Sequence, residues 1–239
     1  MATNANTTRG AIVLVHGGFV DGSGWEGVYQ NLKKDGYRVS IVQNPTTSLA
    51  DDVAATKRVI AEQKGPVILV GHSYGGAVIT EAAAGNSKVK ALVYVAAFAP
   101  DAGETLGALG KRFPAAPLGT AVVPDSAGFL YIDRAKVADV FANDLPKEEV
   151  ALLAATQKPL AAAIFGEPLK AAAWKSIPSW YVVSTQDKAI NPDLERFMAK
   201  RMNAKTKELK ASHVSFISNA PEIAKVIESA AAYSTGTST

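Results

Sequence analysis

The chain has 239 residues, 48% of them hydrophobic and 20% charged, which suits one sizeable buried core and excludes disordered, collagen-like and coiled-coil chains. Its 25 Lys+Arg nearly balance 22 Asp+Glu, and the resulting net charge of +3 marks no nucleic-acid or membrane-binding surface. The lack of cysteine removes disulfides, thiolate metal ligands and a cysteine nucleophile, and with 3 histidines an all-histidine zinc site would consume every one.

Residues 1–9 are polar, lack the apolar run of a signal peptide, and read as a flexible arm. Strand candidates follow at Ala11–Val15 and at 37–43. Ser48 with Asp51 resembles a capping box that opens a helix reaching toward Gly65. A third strand over 66–71 runs into a helix, and a fourth covers 90–97. Several of these runs are apolar throughout (Ile12-Val-Leu-Val15, Val67-Ile-Leu-Val70), as expected for a parallel sheet covered by helices on both faces. From 101 to 178 the rhythm breaks: the spacing predicts two short helices (135–142 and 146–157) and no strong parallel strand, so this stretch reads as an insertion over one end of the sheet. A fifth strand, Ser179–Ser184, precedes a helix begun by Asn191-Pro192 and running through Met202. A sixth lies at 206–211, Pro221 opens a last helix through 232, and 233–239 reads as a flexible tail. The prediction is a doubly wound, mostly parallel six-stranded α/β sheet, with core segments 10–100 and 179–232 and a helical insertion at 101–178. The longest apolar run, 91–99, is far short of the roughly 20 residues a membrane helix needs. A cytoplasmic protein, monomeric or homodimeric, is expected; a leader removed by processing would leave no trace in this sequence.

The sharpest chemical signal is Gly71-His-Ser73-Tyr-Gly75-Gly76, set directly between an apolar strand and a helix. A serine at such a turn projects its hydroxyl above the sheet, the glycines let strand and helix approach, and the helix N-terminus faces any negative charge that forms. Ser73 is the candidate nucleophile. After the first strand, His16-Gly17-Gly18-Phe19 supplies glycine-rich backbone whose N–H groups, paired with that of Tyr74, would cradle an oxyanion. No nucleotide-binding glycine pattern is spelled out nearby.

A serine needs a base. His72 adjoins Ser73, but neighbouring side chains on a turn diverge; His16 is placed to brace its own loop. His213 follows the last strand at the sheet edge where Ser73 emerges, and is the candidate base. Asp187, just beyond the fifth strand, is the candidate acid, with Asp101 after the fourth strand as its rival. Chain order is then nucleophile, acid, base. Phe19, Phe129, Tyr131 and Phe141 are candidates to line an apolar substrate pocket, although each serves equally well as packing.

Taken together, Val15-His16-Gly-Gly with Gly22-Ser-Gly-Trp25, the Ser73 turn, Tyr94-Val-Ala-Ala-Phe-Ala-Pro100, Gln186-Asp-Lys-Ala-Ile190 and Ser212-His213 resemble the α/β-hydrolase superfamily over roughly residues 10 to 232. The nearest group is that of plant methylesterases and hydroxynitrile lyases with their bacterial carboxylesterase relatives. The resemblance implies a triad of Ser73, Asp187 and His213, an oxyanion hole from the backbones of Gly18 and Tyr74, a helical cap over 101–178, and no metal or organic cofactor. Two departures narrow it. Hydroxynitrile lyases of the group carry a lysine after the histidine, where this chain has Val214, and dehalogenases and epoxide hydrolases use an aspartate where this chain has Ser73. The expected activity is hydrolysis of a small, uncharged, fairly hydrophobic carboxylic ester. A cofactor-free haloperoxidase or perhydrolase, or a slow-turnover ligand receptor, are the alternatives on the same fold.

Overall fold

The structure is a computed structural model and describes residues 9–236. Its elements in order are β1 (Ala11–Val15), α1 (Glu26–Lys34), β2 (Arg38–Val42), α2 (Leu49–Glu62), β3 (Val67–His72), α3 (Tyr74–Ala82), β4 (Val89–Val95), α4 (Leu106–Gly110), β5 (Val122–Pro124), β6 (Phe129–Ile132), α5 (Val137–Val140), α6 (Lys147–Thr156), β7 (Leu160–Ala161), β8 (Ser179–Ser184), α7 (Pro192–Arg201), β9 (Lys205–Leu209), α8 (Ser215–Ser218) and α9 (Ala220–Ser234).

Six strands form one sheet in the order β2-β1-β3-β4-β8-β9, and every pairing is parallel. The expectation of a mostly parallel six-stranded sheet is thus met and exceeded. β1, β3 and β8 are buried along their whole length, which explains their unbroken apolar runs. α1 packs with α9 on one face, while α2 packs with α3 on the other. Helix starts follow the cap residues: Ser48 Oγ accepts the Asp51 N–H at 3.0 Å, and Asn191 Oδ1 accepts the Asp193 N–H at 2.9 Å with Pro192 behind it. α2 stops at Glu62 rather than reaching Gly65, because Gln63 turns to extended backbone and its side-chain amide donates back to the Val59 carbonyl.

The order of strands decides where chemistry is possible. From β1 the chain moves outward to β2, then returns to place β3 on the other flank of β1. The carboxyl ends of β1 and β3 therefore diverge around a crevice at the switch point of the sheet, where ligands bind in open α/β folds.

Between β4 and β8 the chain departs from expectation. The two predicted helices shrink to a 3-10 turn (Arg134–Lys136) followed by α5, and to α6. A second, antiparallel sheet, β5-β6-β7, stands beside them, so the insertion is not purely helical. The termini also differ where they are described. Arg9 donates to the Asp35 carbonyl at 2.6 Å, and α9 continues through Tyr233, whose ring lies 5.4 Å from that of Trp180. The rest of the expected flexible ends, 1–8 and 237–239, lies outside the described residues. Among the described residues no helix is long and apolar enough to cross a membrane.

Candidate active site

Ser73 occupies the single residue between β3 and α3, with φ 54° and ψ −126°. A non-glycine residue with positive φ is strained, and here its surroundings hold it there. The Ser73 N–H donates to the Val95 carbonyl at 3.3 Å, and the Ser73 carbonyl accepts from Gly76 and Phe98, both at 3.0 Å. Close approach of strand and helix demands glycine at two positions. A Cβ on Gly71 would lie 2.6 Å from the Gly75 carbonyl oxygen, and one on Gly75 would lie 2.6 Å from that of Val15.

Two loops at the same sheet edge complete the arrangement. β8 delivers Asp187, whose Oδ1 accepts the N–H groups of Ala189 (2.7 Å) and Ile190 (2.9 Å). β9 leads to His213, whose Nδ1 lies 2.6 Å from Asp187 Oδ2 and whose Nε2 lies 2.9 Å from Ser73 Oγ. A carboxylate only accepts, so Nδ1 carries the imidazole proton and Nε2 presents its lone pair to the serine hydroxyl. The three side chains singled out in the sequence are therefore brought together. Asp101, the rival acid, is turned away and paired with Lys175 at 2.6 Å, a contact that with local N–H bonds holds its carboxyl below the usual range despite partial burial.

The other two histidines serve as struts. His72 points its Nε2 proton at the His213 carbonyl (2.8 Å), not at Ser73, so it fixes the backbone of the loop that carries His213. Its rings pack against His213 and Phe216. His16 donates from Nδ1 to the Gly17 carbonyl and accepts the Asn44 N–H at Nε2 (2.9 Å), tying the loop after β1 to the end of β2. Burial lowers His16 to about 4 and drives His72 well below the ordinary histidine range, aided there by the nearby His213. Both are neutral at pH 7. On the far side, Asp144, between α5 and α6, accepts from the Ser212 N–H (2.9 Å) and from Ser218 Oγ (2.8 Å), binding the insertion to the His213 loop.

Gly18 and Tyr74 line the same small cavity as Ser73 and His213. As first residue of α3, Tyr74 has no helical partner for its N–H. The Phe19 N–H is committed to the Lys158 carbonyl at 3.1 Å. The Tyr74 hydroxyl donates to Asp52 Oδ2 at 2.6 Å; burial raises Asp52 to about 6 against those hydrogen bonds.

Of the four aromatic residues picked from sequence, Phe19 and Phe141 line this cavity and their rings meet edge to face at 6.2 Å. Phe129 and Tyr131 line neither it nor the groove beside it: both sit on β6, half-buried, and two residues apart on a strand they share one face. The lining that the sequence did not reveal comes largely from the insertion, through Leu106, Leu118, Leu160 and Phe165. Among the described residues no group of three or more histidine or acidic side chains is arranged to hold a metal ion.

Residues 12–226 match the pattern of the Alpha/beta hydrolase family. The chain belongs to that family. Among proteins similar to this hydrolase is the alpha/beta hydrolase nvfD of Aspergillus novofumigatus, 29% identical over 244 residues that span 92% of this chain and 96% of that one. A pyrethroid hydrolase from Sphingobium faniae has a crystal structure that superposes with a TM-score of 0.78 at 23% identity, covering 93% of this chain and 97% of its own. Polyneuridine aldehyde esterase superposes with a TM-score of 0.78 at 20% identity over 92% and 98% of the two chains. These two likenesses concern the fold alone, which is that of the α/β hydrolases expected from the motifs.

Proposed function

We propose that this hydrolase cleaves small, uncharged, hydrophobic carboxylic esters through an acyl-enzyme formed on Ser73. The observation that carries the reading is the continuous hydrogen-bond chain from Ser73 Oγ through His213 to Asp187, at 2.9 and 2.6 Å. Ser73 Oγ attacks the ester carbonyl carbon while its proton passes to His213 Nε2, and Asp187 stabilises the imidazolium that results. The N–H groups of Gly18 and Tyr74 receive the oxyanion, with the N-terminus of α3 behind them. Collapse of the tetrahedral adduct expels the alkoxide, which takes the proton from His213. Water, deprotonated by His213, then attacks the acyl-enzyme, and the carboxylic acid leaves as Oγ regains its proton. No step calls for a cofactor.

Pocket shape supports the substrate class. The cavity at Ser73 encloses about 60 Å³ and shares the wall of Phe98, Leu106, Leu118 and Phe165 with a groove of about 240 Å³ leading away between α4 and α7. Neither space is lined by a lysine, arginine, aspartate or glutamate, so a charged arm would be desolvated without a partner. Residues 101–178 act as the cap that shapes both.

Labelling with a fluorophosphonate followed by peptide mapping tests the nucleophile, and turnover of short 4-nitrophenyl esters tests the reaction. The label is expected on Ser73, and Ser73→Ala is expected to lower kcat by about 10⁶-fold. Retention of most activity in that variant refutes the mechanism. Background-level turnover by the parent protein refutes the esterase reading and favours a receptor role on this fold.

A further inference from the structure

Behind Asp187 stands a carboxyl group that the reaction scheme does not use. Glu195, in the first turn of α7, is 0% exposed. Its Oε2 accepts the Ser184 N–H from the end of β8 at 3.0 Å, while its Oε1 is buried without a donor. No cation answers it. Its neighbour Arg196 is turned outward, bound to Glu208 at 2.7 and 2.9 Å and to Asp193 at 2.8 Å. What Glu195 does meet is the carboxyl group of Asp187, whose side chain is equally inaccessible: both residues are anchored on Ser184, Glu195 through the Ser184 N–H and Asp187 by donating its own N–H to the Ser184 carbonyl at 3.1 Å.

Two buried carboxyl groups in contact do not both ionise, so one of them holds a proton. The donors around each decide which. Asp187 receives three N–H groups, from Ala189, Ile190 and His213, each of which stabilises its charge. Glu195 receives one. The proton therefore belongs on Glu195, where it turns a buried acceptor without a donor into a donor available to Asp187.

We propose that Glu195 is a positioning residue of this site: as a neutral carboxylic acid it donates a fourth hydrogen bond to Asp187, holding that carboxylate toward His213 and tempering its pull on the imidazole proton. This rests on Asp187 being the partner acid of His213. Burial and the adjoining Asp187 charge drive Glu195 well above the ordinary glutamate range, with the Ser184 N–H and Arg196 opposing. The phenol of Tyr181 on β8, raised chiefly by its burial, stays protonated and donates to the Ala97 carbonyl.

Two substitutions separate the donor from mere bulk. Glu195→Gln keeps both bonds, with the amide oxygen on Ser184 N–H and the amide NH₂ on Asp187, whereas Glu195→Leu keeps volume and loses both. The primary readout is the NMR titration of the His213 imidazole, which needs no ester turnover and is uncrowded because His16 and His72 are held neutral. Glu195→Gln is expected to leave the midpoint within about 0.3 unit and to lower kcat no more than about threefold. Glu195→Leu is expected to move the midpoint up by about one unit, since Asp187 then turns its full charge on the imidazole, and to lower kcat about tenfold with KM nearly constant.

A downward shift in Glu195→Gln would show that a negative charge had been removed and would overturn the proposal; that test stands even where Glu195→Leu does not fold. Glu195→Leu tracking Glu195→Gln in both readouts would reduce Glu195 to packing and overturn it equally. The titration shifts appearing as expected without ester turnover in any variant would uphold the role of Glu195 and refute the esterase reading instead.

Discussion

Replacing Asp187 with asparagine exchanges an oxygen for an NH₂ group, and the local geometry dictates which way the amide points. Two N–H groups, from Ala189 and Ile190, converge on Oδ1 at 2.7 and 2.9 Å. Only an oxygen satisfies them, so the amide oxygen takes that position and the NH₂ is left facing His213 Nδ1. A donor there requires a bare Nδ1, which moves the imidazole proton to Nε2, 2.9 Å from Ser73 Oγ. The base is then occupied by the wrong proton at the moment it is needed. The expected loss in kcat is about 10⁴-fold. At about 1.36 kcal/mol per decade this is close to 5.5 kcal/mol of barrier. Because both backbone bonds survive, the thermal midpoint is expected to fall by no more than about 4 °C, the equivalent of roughly 1 kcal/mol in a chain of this size. Initial rates on 4-nitrophenyl butyrate with a parallel melting curve measure both. A loss below about tenfold in a folded variant would falsify the assignment of the tautomer to Asp187.

Two further outcomes follow from the same geometry. His16 is held neutral to about pH 4, against 6.5 when unfolded, so the unfolded chain binds its proton first and the stability tied to this group is lost as pH falls from 6.5 through 4. The drop is about 3 kcal/mol. Asp52, raised to about 6, changes stability in the opposite sense over part of that window, so the comparison is made against His16→Gln, in which the Asp52 contribution cancels. Urea denaturation of parent and variant at several pH values is expected to show the parent losing that amount relative to the variant; parallel curves refute the buried neutral state of His16. Leu118 belongs to the wall shared by the cavity and the groove. Leu118→Ala is expected to raise the kcat/KM ratio of octanoate to butyrate esters about tenfold, about two methylenes' worth of new burial, and an unchanged ratio would place the acyl chain elsewhere.

Much of this was legible because local sequence and global position coincide at the sheet edge. The runs 12–15 and 67–70 are apolar at every residue, as a doubly covered strand requires; the first leads into His16-Gly17-Gly18 and the second straight into Gly71. Asp187 and His213 were legible from their places just beyond β8 and β9. The insertion was less so. β7 is two residues long and β5 three, and both exist only through pairing with β6 across intervals of sequence that carry no periodic signal. The pocket wall suffered likewise, since which leucine of an insertion faces the serine depends on how the insertion folds back. Glu195 left one trace: a charged residue beside Leu194, at a position that faces the sheet rather than water in an otherwise amphipathic helix.

The contact made by Asp144 has a mechanical implication. One carboxylate on the insertion grips both ends of the segment that bears the imidazole, through Ser212 before it and Ser218 after it. A lobe fastened in this way does not swing clear while leaving the His213 loop undisturbed. Roof and loop are bolted together, so a change that shifts the insertion is passed, through that bolt, to the segment holding His213.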